Sequence, residues 1–184
     1  MTFLITCAGS KIEPVEYRPS NLLNLYLGRE LFEARETIQM KAKILLNWEK
    51  CLPAYALYSG KHSQIYSQID ELNFLNINSD VLILSALFGW IKPTDLIPYY
   101  DLRMSDKIDH NEPVWKVWKK LAILHKYINE EDIDLLSKDY RKAIVNNPAT
   151  VPDVVFEGYG IQKGRWLNKQ LNNFQINAPN EFSL

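Results

Sequence analysis

Five short apolar runs alternate with segments of helical periodicity along this chain, and that alternation restricts its fold more than any other feature does. The runs cover residues 2–6, 54–58, 81–84, 133–136 and 153–156. Strands that alternate with helices pair in parallel through right-handed crossovers, with helices on both faces of the sheet. The sequence therefore predicts one α/β domain over residues 1–184, built on a mostly parallel sheet of about five strands.

The segments between these runs carry apolar residues at the spacing of an amphipathic helix. They cover residues 22–46, with two helices meeting near Gly28, and residues 63–72, 114–127, 137–145 and 161–174. The tail, 175–184, has no periodicity and is predicted to be irregular. After the central run the chain enters a long loop over residues 85–104, which Pro93 and Pro98 keep from becoming a helix. A buried strand that leads into such a loop is a usual ligand-binding place in α/β proteins.

The composition excludes several classes of protein. Hydrophobic residues make up 47% of the chain, which is enough for a real core, and the net charge of −1 gives no global basic signature for nucleic acid. Any site for a polyanion must therefore be local. No apolar run has membrane-spanning length, and no basic leader precedes the first strand, so we expect no membrane partner and a cytoplasmic location.

Cysteines and histidines give no sign of a metal or cofactor site. Cys7 and Cys51 are too few for a disulfide framework and are expected to be reduced core thiols. The three histidines, His62, His110 and His125, lack metal-ligand spacing with each other and with the cysteines. We therefore expect neither a structural metal nor a cofactor.

Each of the five runs ends in a short turn rich in serine, glycine, lysine or an acid. Because the carboxyl ends of parallel strands meet at one edge of a sheet, the polar residues of these turns are predicted to converge on one cleft. They are Ser10, Lys11, Ser59, Lys61, Ser85, Ser137, Tyr140 and Glu157, together with the start of the last helix. Hydroxyls, lysines and helix N-termini favour a phosphate-bearing ligand. Small polar residues also cap helices in any α/β protein, so that reading stays open.

Three acids are candidates for a catalytic role: Asp95, Asp101 and Glu157. Each could act as an acid, a base or a nucleophile if an apolar wall, such as Trp90 or Tyr99, raised its pKa. Asp95 could equally cap a turn.

Cations complement these acids as candidate phosphate ligands. Arg103 in the long loop and Arg165 near the start of the last helix could each hold a phosphate through two parallel hydrogen bonds. Lys163 lies at the opening of the same helix.

Four segments, in order along the chain, resemble those that mark the YaaA family of peroxide stress proteins. They are ALYSGKHSQIY, LSALFGWIKPTDLIPYYDLRM, IDLLSKDYRKAI and KGRW. In the central segment the matching positions are Ser85, Leu87, Gly89, Pro93, Asp95, Leu96, Pro98, Tyr99, Leu102 and Met104. The turn CAGSK stands where the family has Ser-Pro-Ala-Lys, which matches Lys11. The chain is shorter than typical members, and it reads Asp-Leu-Arg-Met from Asp101 where the family has Arg-Leu-Glu-Met.

The resemblance implies a function and a partner. The YaaA family is associated with protection from peroxide damage, lower intracellular iron, and binding of duplex and branched DNA through a basic cleft and a helix-hairpin-helix-like element. In this chain residues 87–91, with Gly89, would be that hairpin. The expected partner is therefore duplex or branched DNA, or a nucleotide-like phosphate ligand.

Two functional hypotheses follow. In the first, the protein binds the DNA phosphate backbone without strong sequence preference. Its phosphate ligands would be Lys11, Lys61, Lys163 and Arg165. In the second, it is an enzyme that breaks an N-glycosidic bond or modifies a base, with the three acids as catalysts and Tyr99 or Trp90 stacked on the base. An accessory protein with a vestigial cleft is a third reading. A closed pocket that holds acids and lysines would favour the enzyme, and an open groove would favour the binder.

Overall fold

The computed structural model describes residues 1–25, 29–75, 81–144, 152 and 154–177. Its strands are β1 Phe3–Thr6, β2 Cys51–Pro53, β3 Val81–Ser85, β4 Gly89–Ile91, β5 Leu96–Pro98, β6 Lys107–Ile108, β7 Glu112–Pro113, β8 Ile133–Asp134 and β9 Val154–Val155. Its α-helices are α1 Arg29–Ala42, α2 Ala54–Leu57, α3 Glu71–Leu75, α4 Val114–Leu121, α5 Lys138–Ile144 and α6 Gly160–Asn177. Short 3₁₀ turns cover Leu22–Asn24, Tyr66–Gln68, Asp109–Asn111 and Leu124–Tyr127.

The main sheet has five strands in the order β4-β3-β1-β8-β9. Strand β1 lies in the centre and pairs in parallel with β3 and with β8, and β8 pairs in parallel with β9. Strand β4 runs antiparallel to β3. The predicted α/β architecture with a mostly parallel sheet is therefore confirmed for a core of four strands, and the fifth strand makes the sheet mixed.

Helices cover both faces of this sheet, as the alternation of strand and helix predicts. Successive side chains of a strand point to opposite faces. On one face the ring of Phe3 packs edge-on against Trp166 of α6, with ring centroids 5.9 Å apart. On the other face Leu4 lines a small cavity together with Ile128 and with Ile144 of α5.

The predicted strand over residues 54–58 is wrong, because Ala54–Leu57 form α2 and Tyr58 is its C-cap. The buried residues of this segment are Ala54, Leu57 and Tyr58, which is the i, i+3, i+4 spacing of a helix. The amide of Tyr58 donates to the carbonyl oxygen of Ala54 at 3.0 Å. The strand lies immediately before the helix, as β2, and pairs antiparallel with β5 outside the main sheet.

The predicted helices after residues 22, 114, 137 and 161 are confirmed in position, with shorter bounds in most cases, whereas a continuous helix over residues 63–72 is not observed. The segment 22–46 contains a 3₁₀ turn and α1, and the segment 63–72 contains a 3₁₀ turn and the start of α3. Helix α4 ends at Leu121 because Ala122 adopts a left-handed conformation, with φ 51°. Helix α6 continues through residues 175–177, which the sequence predicts to be irregular. The predicted joint near Gly28, residue 153 of the fifth predicted strand, residue 145 and the tail 178–184 lie outside the described residues.

The hairpin of β3 and β4 is locked into the core. Gly89 has φ +63°, and a β-carbon there would lie 2.9 Å from the Trp118 ring. The guanidinium of Arg35, on α1, donates through Nε to the carbonyl oxygen of Phe88 and through Nη2 to that of Trp90, both at 2.7 Å. The indole of Trp118 donates to the Ala86 oxygen at 2.8 Å. The turn after the central strand is thus tied to two helices.

Within the part of the chain that the structure describes, no helix combines the length and the apolarity needed to cross a membrane.

Candidate functional site

The loops that follow the main-sheet strands meet at the carboxyl edge of the sheet, as predicted. The amide of Cys7 donates to the Leu84 oxygen at 3.0 Å, and the amide of Phe156 donates to the Asp134 oxygen at 2.9 Å. The loop after α2 joins them, since a β-carbon on Gly60 would lie 2.6 Å from Ser10 Oγ. Only glycine at residue 60 allows this close approach.

A cavity of about 280 Å³ lies between these loops. It is bounded by four segments of chain: the end of β1, the segment after α2, the residue before α5, and the start of α6. Its lining residues are Thr6, Cys7, Ala8, Gly9, His62, Ser63, Gln64, Ile65, Tyr66, Ser137, Gly158, Gly160 and Lys163. Among the described residues, no carboxylate belongs to this lining, and Glu157, which the sequence predicts at this edge, lies outside it.

Lys163 is the buried cation of the cavity, with only 7% of its surface exposed. Its ammonium donates to the carbonyl oxygens of Leu135 and Leu136, at 3.0 and 2.8 Å. Burial lowers the pKa of Lys163, and the positive charge of Arg141 lowers it further. An ammonium has three donors, so one N–H remains beyond these two bonds for a ligand in the cavity.

A cluster of buried tyrosines supports the cavity from the core side. The hydroxyls of Tyr58 and Tyr100 share a hydrogen bond of 2.8 Å, and Tyr100 shares another of 2.8 Å with Ser85 Oγ. Burial raises the pKa of both phenols well above its usual value, so they stay neutral. Ser85 Oγ also accepts from the amide of Phe88 at 3.0 Å. This predicted phosphate ligand is fully buried and serves the fold.

The thiol of Cys7 belongs to the same cluster. Its Sγ lies 2.9 Å from the hydroxyl of Tyr140, and burial raises the pKa of that tyrosine. The hydroxyl of Tyr66 donates to the Thr6 oxygen at 2.9 Å. Cys7 is 8% exposed and is reduced, as the sequence predicts, and Tyr140 is occupied by the thiol.

Lys11 and Arg103 lie beside Gly9, at one side of the cavity. The ammonium of Lys11 is 4.5 Å from the centroid of the Tyr100 ring, a cation–π contact. Burial lowers the pKa of Lys11, while the charge of Asp101 acts to raise it. The Arg103 Nε is 3.9 Å from the position that a β-carbon on Gly9 would take. Lys11, Asp101 and Arg103 are each predicted as site residues, and they lie near one another outside the cavity lining.

The remaining predicted ligands of the turns have separate positions. Ser10 Oγ accepts from the amide of His62 at 3.4 Å, and Ser59 Oγ donates to the Ala56 oxygen at 2.8 Å. Ser59 and Lys61 are exposed, and Ser137 lines the cavity.

Two other predicted site residues face solvent. Tyr99 has 41% of its surface exposed. Arg165 is exposed on α6, where its Nε donates to Gln68 Oε1 at 3.0 Å, outside the cavity lining.

Two of the three candidate acids have structural partners. Asp95 Oδ2 accepts from the amide of Lys92 at 3.0 Å and so caps a turn, the alternative that the sequence leaves open. It lies near the buried Arg35. Burial lowers the pKa of Arg35 to about 10, although the negative charge of Asp95 acts to raise that pKa. Glu157 lies 3.7 Å from Arg141 Nη1, with 85% of its side chain exposed.

The structure does not support the prediction that residues 87–91 form a DNA-binding hairpin, because this segment is buried. Leu87 and Phe88 are in a turn, and Gly89–Ile91 form β4, all of them buried. Trp90 is fully buried and donates its indole N–H to the Leu124 oxygen at 2.9 Å. Gly89 and Trp90 are therefore not accessible to a phosphate or to a stacking base, because both are buried.

Sequence reasoning missed the residues that shape the cavity. Tyr58 belongs to the run predicted as a strand, and Tyr100 to the polar and aromatic loop predicted as the functional face, whereas Tyr66 carries no predicted role. The sequence does not reveal which partners their hydroxyls have. Ser63 directly follows the predicted turn SGKH, so extending that turn by one residue would have found it. Within the described residues, no three His, Cys, Asp or Glu side chains come together as a metal site requires.

Comparison with known proteins identifies the family. The family model described as peroxide stress protein YaaA matches residues 18–169. The chain belongs to the YaaA family. The resemblance that the sequence motifs carry is confirmed, and the matched range includes the central segment, the 137–145 segment and most of α6.

Curated relatives of this YaaA-family chain are named UPF0246 proteins. The one from Francisella philomiragia is 29% identical over 127 residues, which cover 64% of this chain and 49% of the relative. The one from Psychrobacter cryohalolentis is 30% identical over 105 residues, 50% of this chain and 38% of the relative. The one from Rickettsia bellii is 28% identical over 139 residues, 69% of this chain and 50% of the relative. The chain thus matches about half or less of each relative's length.

Proposed function

We propose that this YaaA-family protein binds DNA in the response to peroxide stress, by holding phosphate groups at the carboxyl edge of the main sheet. The charge of the cavity carries the proposal, because its described lining includes Lys163 and no carboxylate. Lys11 and Arg103 extend the positive charge beside Gly9. Backbone contacts of this kind position a duplex without reading its sequence.

The overall charge of the chain makes the proposal sharper. With a net charge of −1, the protein cannot attract DNA as a whole and must use a local patch. If three or four cations contact phosphates, the logarithm of affinity falls with the logarithm of salt with a slope of roughly −3 to −4. A shallower slope would indicate fewer contacts.

The test is a fluorescence-anisotropy titration of labelled duplex and branched DNA over a series of salt concentrations. We expect binding at low salt that weakens as salt rises, and we expect the double variant Lys11→Ala, Arg103→Ala to lose about two units of the slope. Lys169→Ala is the matched control, since it removes an exposed cation of α6 outside the cavity lining. Absence of binding by the unmodified protein at low salt would refute the proposal.

A second candidate function is supported by the shape of the site, which is a concave cavity that is partly open to solvent. A concave site of this size suits an enzyme that breaks an N-glycosidic bond in a nucleotide or a nucleic acid. Glu157 is the candidate acid next to the lining, beside Gly158. Incubation with nucleotides and with damaged duplex, followed by chromatography, would detect released base. Release that Glu157→Gln abolishes would favour the enzyme, and no release would leave the binding proposal alone.

A further inference from the structure

One residue that lines the cavity has a buried hydroxyl without a hydrogen-bond partner among the described residues. Ser63 is 5% exposed and lines the cavity, and its Oγ has no hydrogen-bond partner among the described residues. Its backbone is satisfied, since its amide donates to the Gly60 oxygen at 2.8 Å. The nearby Ser67 differs, because its Oγ donates to the Gln64 oxygen. A buried hydroxyl without a partner is costly and calls for a ligand or another explanation.

Helix α6 adds a second group of donors at the same place. It is 18 residues long and begins at Gly160, which lines the cavity together with Gly158. The first amides of a helix have no acceptor within it, and they form the positive end of the helix dipole. The side chain of Gln162 accepts from the amide of Tyr159 at 3.0 Å and so fixes the direction in which the helix begins.

Lys163 supplies the charge. It reaches the cavity from the first turn of α6, and one N–H remains after its bonds to the carbonyl oxygens of Leu135 and Leu136. The two neighbouring carboxylates, Asp134 and Glu157, lie outside the described lining and do not neutralise the charge of Lys163 there. Asp134 is paired with Arg141 at 2.7 Å, and the side chain of Glu157 is largely in solvent.

The cavity fits one phosphate with part of a nucleoside. Its volume of about 280 Å³ exceeds that of a single phosphate and lies just below the usual range for small-molecule sites, roughly 300–1,000 Å³. Ile65 and Tyr66 give it an apolar part next to the donors. A strand that continued on both sides of its phosphate would have to leave the cavity twice, whereas a strand end enters only once.

We propose that this cavity binds a phosphate monoester carried by a nucleoside, with Ser63 Oγ, the first amides of α6 and Lys163 Nζ as donors. The ligand is either the 5′-phosphate end of a DNA strand or a free nucleotide. The first source rests on the proposed DNA-binding function, and the second does not.

The experiment uses the full chain and compares Ser63→Ala with Ser67→Ala. Thermal unfolding is followed with inorganic phosphate or deoxyadenosine 5′-monophosphate, with sodium chloride at equal ionic strength and deoxyadenosine as controls. Anisotropy is measured with blunt duplexes that carry either a 5′-phosphate or a 5′-hydroxyl. Both variants are expected to fold, since Ser63→Ala removes a hydroxyl that has no partner and Ser67 is exposed.

We expect phosphate and the mononucleotide to raise Tm, and Ser63→Ala to weaken their binding about tenfold while Ser67→Ala does not. A preference for the 5′-phosphorylated duplex that Ser63→Ala removes would identify the strand end as the source. Stabilisation by the mononucleotide without any preference between duplexes would identify the free nucleotide.

Two results separate this inference from the proposed function. If both duplexes bind equally and neither phosphate nor the mononucleotide raises Tm, the cavity inference is overturned and DNA binding stands. If phosphate raises Tm in a Ser63-dependent way and no duplex binds at low salt, the inference stands and the DNA proposal falls. Stabilisation that survives Ser63→Ala unchanged would also overturn the inference.

Discussion

The β3–β4 hairpin and the cavity loops, residues 7–11, 59–66 and 157–163, both carry small polar residues that suggest a phosphate site, and they use them in opposite ways. In the hairpin, Ser85 Oγ is bonded to Tyr100 and to the amide of Phe88, and Gly89 faces the Trp118 ring. In the cavity loops, Ser63 Oγ lacks a described partner and Lys163 has a donor to spare. The difference teaches that a polar atom is available for function only where the fold has not already used it.

The comparison predicts that changes in the hairpin reduce stability and that changes in the cavity loops reduce binding. The strongest test is Arg35→Met, which leaves the buried carbonyl oxygens of Phe88 and Trp90 without their donor. We expect a loss of about 4 kcal/mol in the free energy of unfolding, measured with urea. Arg29→Met, at an exposed position of α1, is the control and should cost under about 0.5 kcal/mol. Equal costs for the two variants would break the comparison.

Gly89→Ala is expected to have the next largest effect. Its β-carbon would meet the Trp118 ring at 2.9 Å, on a residue whose φ of +63° disfavours any side chain. Strain and overpacking together should cost about 3 kcal/mol in urea unfolding. Gly9→Ala is the matched control, because the nearest atom to its β-carbon would be Arg103 Nε, at 3.9 Å. If Gly89→Ala is fully stable but binds no DNA, the hairpin is functional after all.

Tyr100→Phe tests the boundary between the two regions. It removes the shared hydrogen bonds to Tyr58 and Ser85 and should cost about 1.5 kcal/mol at neutral pH. Burial raises the pKa of both tyrosines, so the folded state holds protons that the unfolded state releases above about pH 10. The contribution of these two tyrosines to the free energy of unfolding should therefore be constant below that pH and fall as pH rises above it. Unfolding curves from pH 7 to 11 should show a shallower fall for Tyr100→Phe than for the unmodified protein.

Lys11→Ala is expected to have the smallest effect on stability. It removes one cation–π contact with Tyr100, worth about 0.5–1 kcal/mol at a partly exposed site. Under the proposed function, DNA affinity at low salt should nevertheless fall several-fold, because the proposed phosphate contact of Lys11 would be lost. Lys11→Arg keeps the charge and should retain most of that affinity. A loss of stability as large as that of Gly89→Ala would place Lys11 with the hairpin residues.

Regular patterns allowed much of the fold to be predicted. Helix α6 has enough turns for its amphipathic periodicity to be unmistakable, and the parallel core follows from strands that alternate with helices. Helix α2 has only four residues, so its apolar spacing could not be told from that of a strand. Strand β4 is three residues long and depends on its pairing with β3, which local sequence does not reveal.

The site could be predicted only in outline. That loops meet at one edge follows from strand direction, and in the structure Ser137 and Lys163 line the cavity while Lys11 lies outside the lining. Whether a hydroxyl is free depends on partners far along the chain. The hydroxyl of Ser85 is hydrogen-bonded to Tyr100, whereas the hydroxyl of Ser63 has no partner among the described residues. Nothing near either serine in the sequence distinguishes them.

The central place of β1 also sets the order in which the sheet can form. Phe3 pairs with Val81 on one side and with Ile133 on the other. Both edges of β1 therefore stay unpaired until segments far along the chain have reached it. Loop closure over such distances is slow, and an unpaired apolar strand edge invites contact with other chains. Refolding should therefore be slow and sensitive to protein concentration, and a fragment that ends before β8 should aggregate.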